Sequence, residues 1–379
     1  MVYPKMAVGL QVGASPPLGL SRTTVLLARL SRLDSVLAVD HFQNFMPTAL
    51  WDRDLSWAAA HFPSPHEVFD YQVLLGYLAH SAGNLRIGVG VTEPVRRHPV
   101  LIAQAMMTLA HMTKRPPILG IGAGERENIE PYGLDFSQPV SQLEEALKVI
   151  KLCFSSSGPF DFEGKHYRLE RAMMDLQPPK GRTPQVWIAG HGPRMLRLTG
   201  QYGDGWFPTM VASPQEYKAK LEVVRAAARE AGRNPAAITP ALQQFVVVAP
   251  TRREARAMLR SRLARFAAVV GLPADEWRTV GVEHPFGERF RGYVDFVPEQ
   301  YDRATLDRAI AAVPPQLLGR GLVVGTIEDV VARLRTYGEA GARHVILSLS
   351  SALFSKRAAI YSQLALPRIA WLLRRGGER

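Results

Sequence analysis

Short apolar runs alternate with longer amphipathic stretches along almost the whole chain. The short runs are typical of buried parallel strands, and the amphipathic stretches have the residue spacing of helices. The predicted strands lie at residues 6–12, 35–39, 85–92, 118–122, 185–189, 204–208, 243–248 and 344–349. The predicted helices lie at residues 23–33, 66–82, 99–113, 139–154, 214–231 and 327–338, with one more from residue 193 and one at the C-terminal end. This alternation predicts an α/β fold with a parallel sheet.

Eight strand–helix units fit a single (β/α)₈ TIM barrel, which we expect to span residues 1–379 as one domain. Such a barrel takes about 250 residues and grows with insertions, and this chain has 379. Three stretches fall outside the strand–helix order and are predicted insertions, near residues 43–65, 155–183 and 281–320. The second of them is rich in Gly, Pro and aromatic residues, so we expect a hairpin or an excursion from the barrel there.

The ends of the predicted strands carry the candidate chemistry, because the active sites of TIM barrels lie at the C-terminal ends of their strands. Asp40 and His41 follow the second strand, where an imidazole can hold or donate a proton beside a reacting centre. A capping or packing pair is the alternative for these two residues. No metal site is predicted, because no group of His, Cys and carboxylate residues has the spacing of metal ligands.

Glycine-rich turns follow the fourth and fifth predicted strands. The first, at residues 122–125 (GAGE), lets the backbone approach a planar ligand closely and ends in the carboxylate of Glu125. The second, at residues 190–194 (GHGPR), opens a helix, so its free backbone N–H groups and Arg194 are expected to bind a phosphate. Ordinary strand–helix turns have the same composition, so each motif alone also fits a purely structural turn.

The net charge of +12 narrows the class of ligand. Nucleic acid, an anionic surface and an anionic small molecule would each suit a basic protein. The basic residues are mostly arginines scattered along the predicted helices, not one Lys/Arg block with interleaved aromatic residues, so we expect no nucleic-acid partner. A polyanionic cofactor fits better, although an arginine-rich composition without functional meaning would give the same charge.

The composition predicts a globular, cytoplasmic protein. Hydrophobic residues make up 47% and charged residues 21%, which is typical of a chain that forms a core. No apolar run approaches the ~20 residues of a membrane span, and the start of the chain lacks the apolar segment of a signal peptide. A single cysteine, Cys153, excludes an intramolecular disulfide and suits a reducing compartment. The Rossmann glycine fingerprint, the Walker A loop and the hydrolase nucleophile elbow are absent from the sequence.

Taken together and in this order, the segments resemble the luciferase-like family, and within it the branch that depends on the deazaflavin coenzyme F420. Residues 40–43 (DHFQ) resemble the segment of F420-dependent glucose-6-phosphate dehydrogenases in which the His, here His41, is the candidate acid/base. Residues 90–99 (GVTEPVRRHP) are similar to the third-strand segment of methylenetetrahydromethanopterin reductases. In that family a non-proline cis peptide backs the deazaflavin ring, so the resemblance implies a cis bond between Gly90 and Val91.

A narrower resemblance, to the phthiodiolone dimycocerosate ketoreductases, covers nearly the whole chain. It rests on residues 120–133 (GIGAGERENIEPYG), 191–197 (HGPRMLR) and 281–285 (GVEHP). The last motif lies in a predicted insertion, outside the generic barrel, and is therefore more specific than the other two. Members of this group are taken to reduce a lipid ketone with reduced F420. The chain departs from them near its start and through residues 43–65.

By resemblance, the protein is an F420-dependent oxidoreductase that transfers hydride to a carbonyl, or to an activated C=C or C=N bond, of a hydrophobic or natural-product substrate. His41 is implied as the proton donor and Glu125 as a second catalytic group. Asp40 is implied either to contact the cofactor or to orient the histidine. The other residues implied in cofactor binding are Gly90, Val91, Thr92, Gly190, His191, Gly192 and Arg194. We expect Arg96 and Arg97 to be surface charges or to face the cofactor tail, and His284 to line the pocket or stabilise its loop.

Two other functions stay open on the same barrel. An FMN-dependent monooxygenase would receive reduced flavin from a partner and react with oxygen, whereas a non-catalytic flavin-binding barrel would turn nothing over. The third-strand segment and the basic charge favour F420 over FMN, and the presence of both His41 and Glu125 argues against a binding protein. Sugar-phosphate specificity is disfavoured, because Phe45 stands where the glucose-6-phosphate enzymes have Trp, and residues 126–129 (RENI) replace their Ala-Leu-Asn-Glu. A homodimer is an open option, since dimers are common in this family.

Overall fold

Eight parallel strands close into a barrel in the computed structural model, which describes residues 2–378. The barrel strands are β1 (Ala7–Val12), β2 (Ser35–Ala38), β3 (Arg86–Thr92), β4 (Ile118–Ile121), β5 (Gln185–Ile188), β6 (Gly205–Trp206), β7 (Thr239–Val248) and β8 (His344–Leu349). Each strand pairs in parallel with the next along the chain, and β8 pairs with β1. The predicted (β/α)₈ TIM barrel is therefore confirmed.

The helices begin where the sequence offers a cap or a proline for the first turn. They are α1 (Leu18–Leu30), α2 (Tyr71–Ala82), α3 (Pro99–Met112), α4 (Pro139–Ser155), α5 (Pro193–Tyr202), α6 (Pro214–Glu230), α7 (Arg252–Leu259), α8 (Arg262–Gly271), α9 (Ala274–Arg278), α10 (Arg303–Ala311), α11 (Ile327–Glu339) and α12 (Lys356–Arg375). The side chains that cap a first turn by accepting its N–H groups include Asp70, Ser213, Thr251, Asp302 and Thr326. Within residues 2–378, no helix combines the length and the apolar character that crossing a lipid bilayer requires.

Two helices begin elsewhere than predicted, because local signals override the apolar pattern. The helix predicted at 66–82 begins only at Tyr71, since the carboxylate of Asp70 accepts hydrogen bonds from the first-turn N–H groups. The helix predicted at 23–33 begins earlier, at Leu18, directly after a pair of prolines. In both cases the cap or the proline sets the start of the helix, and the hydrophobic period does not.

Some strands differ from the prediction in where they begin or were not predicted at all. β7 begins earlier than predicted, at Thr239, and its second half pairs with a parallel strand, Leu322–Gly325, that the sequence pattern did not predict. The insertion near 155–183 contains an antiparallel hairpin of Phe160–Glu163 and Arg168–Ala172. Of the two alternatives predicted for this stretch, a hairpin or an excursion, the structure contains the hairpin.

Two of the predicted insertions pack against each other in an apolar cluster of their own. Residues 43–65 form short 3₁₀ turns, and the insertion near 281–320 contains 3₁₀ turns and α10. Buried side chains from both regions and from α8 and α9 meet in this cluster, among them Leu50, Leu55, Leu263, Phe266, Trp277, Phe296, Leu306 and Leu317. The shared cluster holds the two insertions in a fixed relation to each other.

Strand β3 contains a glycine that close contact with β4 requires. A Cβ on Gly88 would lie 1.9 Å from the carbonyl oxygen of Ile118, so we predict that Gly88→Ala lowers the free energy of unfolding by about 3 kcal/mol, as measured by urea denaturation. Gly158→Ala is the control, because a Cβ there meets nothing within 4 Å. Its unfolding free energy should stay within about 0.5 kcal/mol of the native value. Equal stability of the two variants would contradict the packing of β3 on β4.

Candidate active site

The C-terminal end of β3 forms a bulge beside the first glycine-rich turn. The peptide bond between Gly90 and Val91 is cis, at the position that the resemblance implies, and the register between β3 and β4 shifts there. A Cβ on Gly122 would lie 3.6 Å from the Val91 side chain and 3.7 Å from that of Ala189. Because glycine stands at this position, the bulge and the neighbouring strand ends present a surface that suits a planar ring. Gln11 donates a hydrogen bond to the Gly90 carbonyl at 3.2 Å.

Asp40, which follows β2, is buried and binds two arginines from the segment after β3. Its carboxylate accepts a hydrogen bond from Thr92 Oγ1 at 2.6 Å. It also lies 2.7 Å from Arg97 Nη1 and 3.1 Å from Arg96 Nη2. Arg97 reaches on to Asp70, the cap of α2, at 2.7 Å. The structure thus brings the predicted residues Asp40 and Thr92 together, and the Asp40 oxygens are engaged by these partners.

Arg96 is buried, with 3% of its side chain exposed, so the alternative that it is a surface charge is wrong. The surface alternative is also wrong for Arg97, which is 15% exposed and paired, whereas an orientation of the two arginines toward the cofactor tail stays a prediction. The Arg96 guanidinium contacts Glu93 and Asp40 and lies 4.6 Å from the ring centre of Phe42. Two carboxylates balance the charge, which makes its burial tolerable. Arg96 Nη1 is buried and has no hydrogen-bond partner within residues 2–378, so one donor remains for a ligand.

His41 lies between two carboxylates from the turn after β4. Its Nε2 is 3.7 Å from Glu125 Oε2, and its Nδ1 is 3.1 Å from Glu127 Oε1. The exposed fraction falls along this chain of groups, from 32% of the Glu125 side chain through 16% of His41 to 0% of Glu127. The structure therefore brings the predicted pair His41 and Glu125 together and adds a buried carboxylate that sequence reasoning missed.

Burial disfavours the charged form of both carboxylates. Removal from water raises the pKa of Glu125 to about 7, while nearby His41 opposes the rise and Glu127 adds to it. Part of the Glu125 side chain nevertheless stays open to solvent, so its proton can exchange there. Burial also raises the pKa of Glu127 well above its ordinary value, against the opposing effects of the Asn128 hydrogen bond and of Arg96.

The ligand atoms of His41, Glu125 and Glu127 lie within 4.8 Å of one another, as the donors of a metal centre would. Their arrangement nevertheless suits proton transfer better, because the two carboxylates face different nitrogens of one imidazole. We therefore interpret the three groups as a proton-relay arrangement in which the imidazole lies between two carboxylates.

Aromatic side chains from the two insertions form a wall beside His41. Phe45 packs edge-on against the imidazole with ring centres 5.5 Å apart, and Tyr293 lies 4.2 Å from Phe45. Tyr293 also lies 6.3 Å from Phe245 on β7. The insertion near 281–320 therefore reaches the barrel mouth through Tyr293. Sequence reasoning missed this residue because it lies far along the chain from any strand end.

His284 stabilises its own loop. Its Nε2 faces the Val269 carbonyl at 2.9 Å, and its Nδ1 accepts a hydrogen bond from the Phe286 N–H at 3.0 Å. The ring stacks on Phe290 at 4.3 Å. Burial lowers the pKa of His284 to about 4, so the ring is neutral at pH 7. Of the two roles predicted for this residue, the structure shows the stabilisation of the loop.

The second glycine-rich turn leads from β5 into α5 and leaves the start of that helix without a side-chain cap. Gly192 is the N-cap, Gly190 is buried behind it, and His191 is exposed. Arg194 is half exposed and pairs with Glu144 on α4 at 2.8 Å. The uncapped N–H groups suit an anion, whereas the charge of Arg194 is shared with its acidic partner.

Two clefts open next to the turn that carries Glu125. Their volumes are about 440 Å³ and about 490 Å³, and Arg126 and Arg291 line both of them. The apolar side chains in their walls are Leu134, Phe136, Phe286 and Phe290. The walls of these clefts carry charges of both signs, because the carboxylates of Glu130, Asp135, Glu288 and Asp295 line them beside the arginines.

The buried charge cluster around Asp40 should matter for stability. Asp40→Ala leaves Arg96 and Arg97 without their shared carboxylate, so we expect the free energy of unfolding to fall by about 3–5 kcal/mol in urea denaturation. Asp275→Ala is the control, because its pair with Arg278 is largely exposed and should contribute at most about 1 kcal/mol. Similar small losses in the two variants would show that the Asp40 cluster is not buried as described.

Glu125 should make stability depend on pH. Its pKa is raised from 4.5 to about 7 in the folded chain, so between these values the unfolded chain loses the proton first and ionisation opposes folding. Below about pH 4.5 both states hold the proton, and above pH 7 the opposition is complete. We therefore expect Glu125→Gln to stabilise the protein more at pH 8 than at pH 4 in urea titrations. Glu130→Gln, at an exposed position, is the control, and a difference independent of pH would contradict this origin.

Residues 54–344 match the sequence profile of the luciferase-like monooxygenase family. The phthiodiolone/phenolphthiodiolone dimycocerosates ketoreductase of Mycobacterium tuberculosis (strain ATCC 25618 / H37Rv) is 37% identical over 335 residues, which cover 88% of this chain and 88% of that protein. Among solved structures, an F420-dependent secondary alcohol dehydrogenase in complex with an F420-acetone adduct has a TM-score of 0.73 at 20% identity, covering 97% of this chain and 98% of the other. The coenzyme F420 dependent tetrahydromethanopterin reductase of Methanopyrus kandleri has a TM-score of 0.72 at 18% identity, covering 97% and 98%. This chain therefore belongs to the luciferase-like family and is an oxidoreductase.

Proposed function

We propose that the protein is an F420-dependent reductase that acts on the carbonyl group of a hydrophobic small molecule. The observation that carries this proposal is the pair of His41 and Glu125, placed at the same barrel end as the irregularity in β3 between Val89 and Thr92. The relatives support the proposal, since one is named a ketoreductase and two solved structures are F420-dependent enzymes.

The residues at the barrel mouth fit a deazaflavin cofactor. Val91, Gly122 and Ala189 offer an apolar surface for a planar ring, and the uncapped start of α5 at Gly192 suits a phosphate. The net charge of +12 suits an anionic tail. When bound, reduced F420 supplies a hydride. The protein then has to orient the reactants and move a proton.

His41 is the group that we expect to supply this proton. The doubly protonated ring gives its Nε2 proton to the substrate oxygen while the electron pair of the C=O bond moves onto that oxygen and hydride reaches the carbon, and the ring is left neutral. The substrate therefore gains one hydride and one proton and becomes an alcohol. Glu125 lies 3.7 Å from Nε2, and a pKa of about 7 lets it return a proton to the ring at neutral pH.

The walls of the site favour an apolar substrate. Phe45 packs against the imidazole of His41, and Tyr293 packs against Phe45. Apolar groups that leave water on these walls contribute about 25 cal/mol per Å² of buried area. A ketone carried on a hydrophobic body is therefore the substrate class that the site supports best.

Equilibrium binding of F420 and of FMN to the purified protein, followed optically, tests the cofactor. We expect F420 to bind with an affinity that falls from low to moderate salt, because its anionic tail meets a basic surface. FMN should bind much more weakly. Preference for FMN would favour the monooxygenase instead, and binding of neither would overturn the proposal.

A substitution of His41 separates catalysis from binding. We predict that His41→Ala lowers kcat for ketone reduction by about 10²-fold or more, because general acid catalysis contributes that much. The dissociation constant for F420 should stay unchanged. His80→Ala, which changes an exposed histidine on α2, is the control. Turnover that survives His41→Ala would contradict the assigned proton donor.

A further inference from the structure

We propose that Glu127 is the residue that positions His41. It holds the proton on Nδ1, so that Nε2 is the nitrogen that exchanges protons at the barrel mouth. The contacts of the two side chains carry this assignment, and its consequence for turnover rests on the proposed function. Glu127 is fully buried behind the imidazole, so it acts through His41 and does not touch the substrate.

The side-chain amide of Asn128 fixes which Glu127 oxygen accepts a hydrogen bond. Asn128 Oδ1 accepts the backbone N–H groups of Phe42 at 2.6 Å and of Gln43 at 3.2 Å. Backbone N–H groups can only donate, so the amide oxygen must lie on that side. The amide nitrogen is then left to donate to Glu127 Oε1 at 2.8 Å. Oε1 is therefore an acceptor.

The surroundings of Nδ1 then determine the tautomer of His41. Nδ1 lies 3.1 Å from Glu127 Oε1 and 3.2 Å from the carbonyl oxygen of Gln43. Both oxygens accept, so the nitrogen between them must carry the hydrogen. In the neutral ring Nε2 keeps the lone pair, and in the charged ring it carries the second proton. That nitrogen faces Glu125.

The assignment holds whether or not Glu127 is ionised. Glu127 Oε2 is buried and has no hydrogen-bond partner among residues 2–378, so a proton on Glu127 resides there. Oε1 remains an acceptor in both states. The other charged or titratable groups whose fields act on this pair of carboxylates are Glu93, Arg96, Tyr132 and Tyr293. None of them replaces Oε1 as the partner of Nδ1 in the described contacts.

Nitrogen-15 NMR of the whole protein with labelled histidine tests the proposal without any cofactor. At a pH where the imidazole of His41 is neutral, the native protein should show its hydrogen on Nδ1. Glu127→Gln should keep this tautomer, because the Asn128 amide continues to require an oxygen at the same position. Glu127→Leu should raise the fraction of the other tautomer, because only the Gln43 carbonyl then remains to accept the hydrogen on Nδ1. Glu130→Gln, at an exposed position on the next 3₁₀ turn, is the matched control.

Kinetics give the second readout. Glu127→Leu should lower kcat about 10–100-fold, whereas the dissociation constant for F420 should not change, because the residue is buried. Glu127→Gln should restore part of kcat. Hydrogen on Nε2 in the native protein, or an unchanged tautomer in a folded Glu127→Leu variant, would overturn the proposal. Because the NMR result does not depend on F420, failure of the proposed function would leave it standing.

Discussion

The buried carboxylate of Asp40 is the constraint on which the active end of the barrel depends. It joins the end of β2 to Thr92 on β3 and to two arginines beyond that strand, and through Arg97 it reaches the start of α2. Charges buried in this way must keep their partners, so these chain segments cannot separate without a large loss of free energy. The bulge at the end of β3 and the neighbouring His41 are held in place as a result.

The barrel could be predicted because its strands are buried on both faces. All four residues of β2 and of β4 are buried, which gives continuous apolar runs that stand out from the amphipathic helices. The strand Leu322–Gly325 alternates buried and half-buried positions over only four residues, so its signal was too weak. The starts of α1 and α2 depend on prolines and on Asp70, whose effects are local and independent of the hydrophobic period.

The site could be predicted only where it follows directly from the strand ends. His41 and Glu125 come immediately after strands, and both the barrel rule and the family resemblance point to them. From the sequence, Arg96 is expected to be a surface charge or to face the cofactor tail. Its partner Asp40 lies 56 residues away in the sequence and becomes a neighbour only when β2 and β3 pair. Glu127 was missed because its approach to His41 depends on a 3₁₀ turn that directs the side chain back into the protein.

The contact between Phe45 and Tyr293 shows that different parts of the chain form different walls of the site. The surface proposed for the coenzyme comes from the ends of neighbouring barrel strands, whereas the wall beside His41 comes from two insertions that share one apolar cluster. A change of volume in one insertion displaces the other, because the two share one packed cluster. A substitution in either insertion therefore alters the wall beside His41 without altering the strand ends proposed to hold the coenzyme.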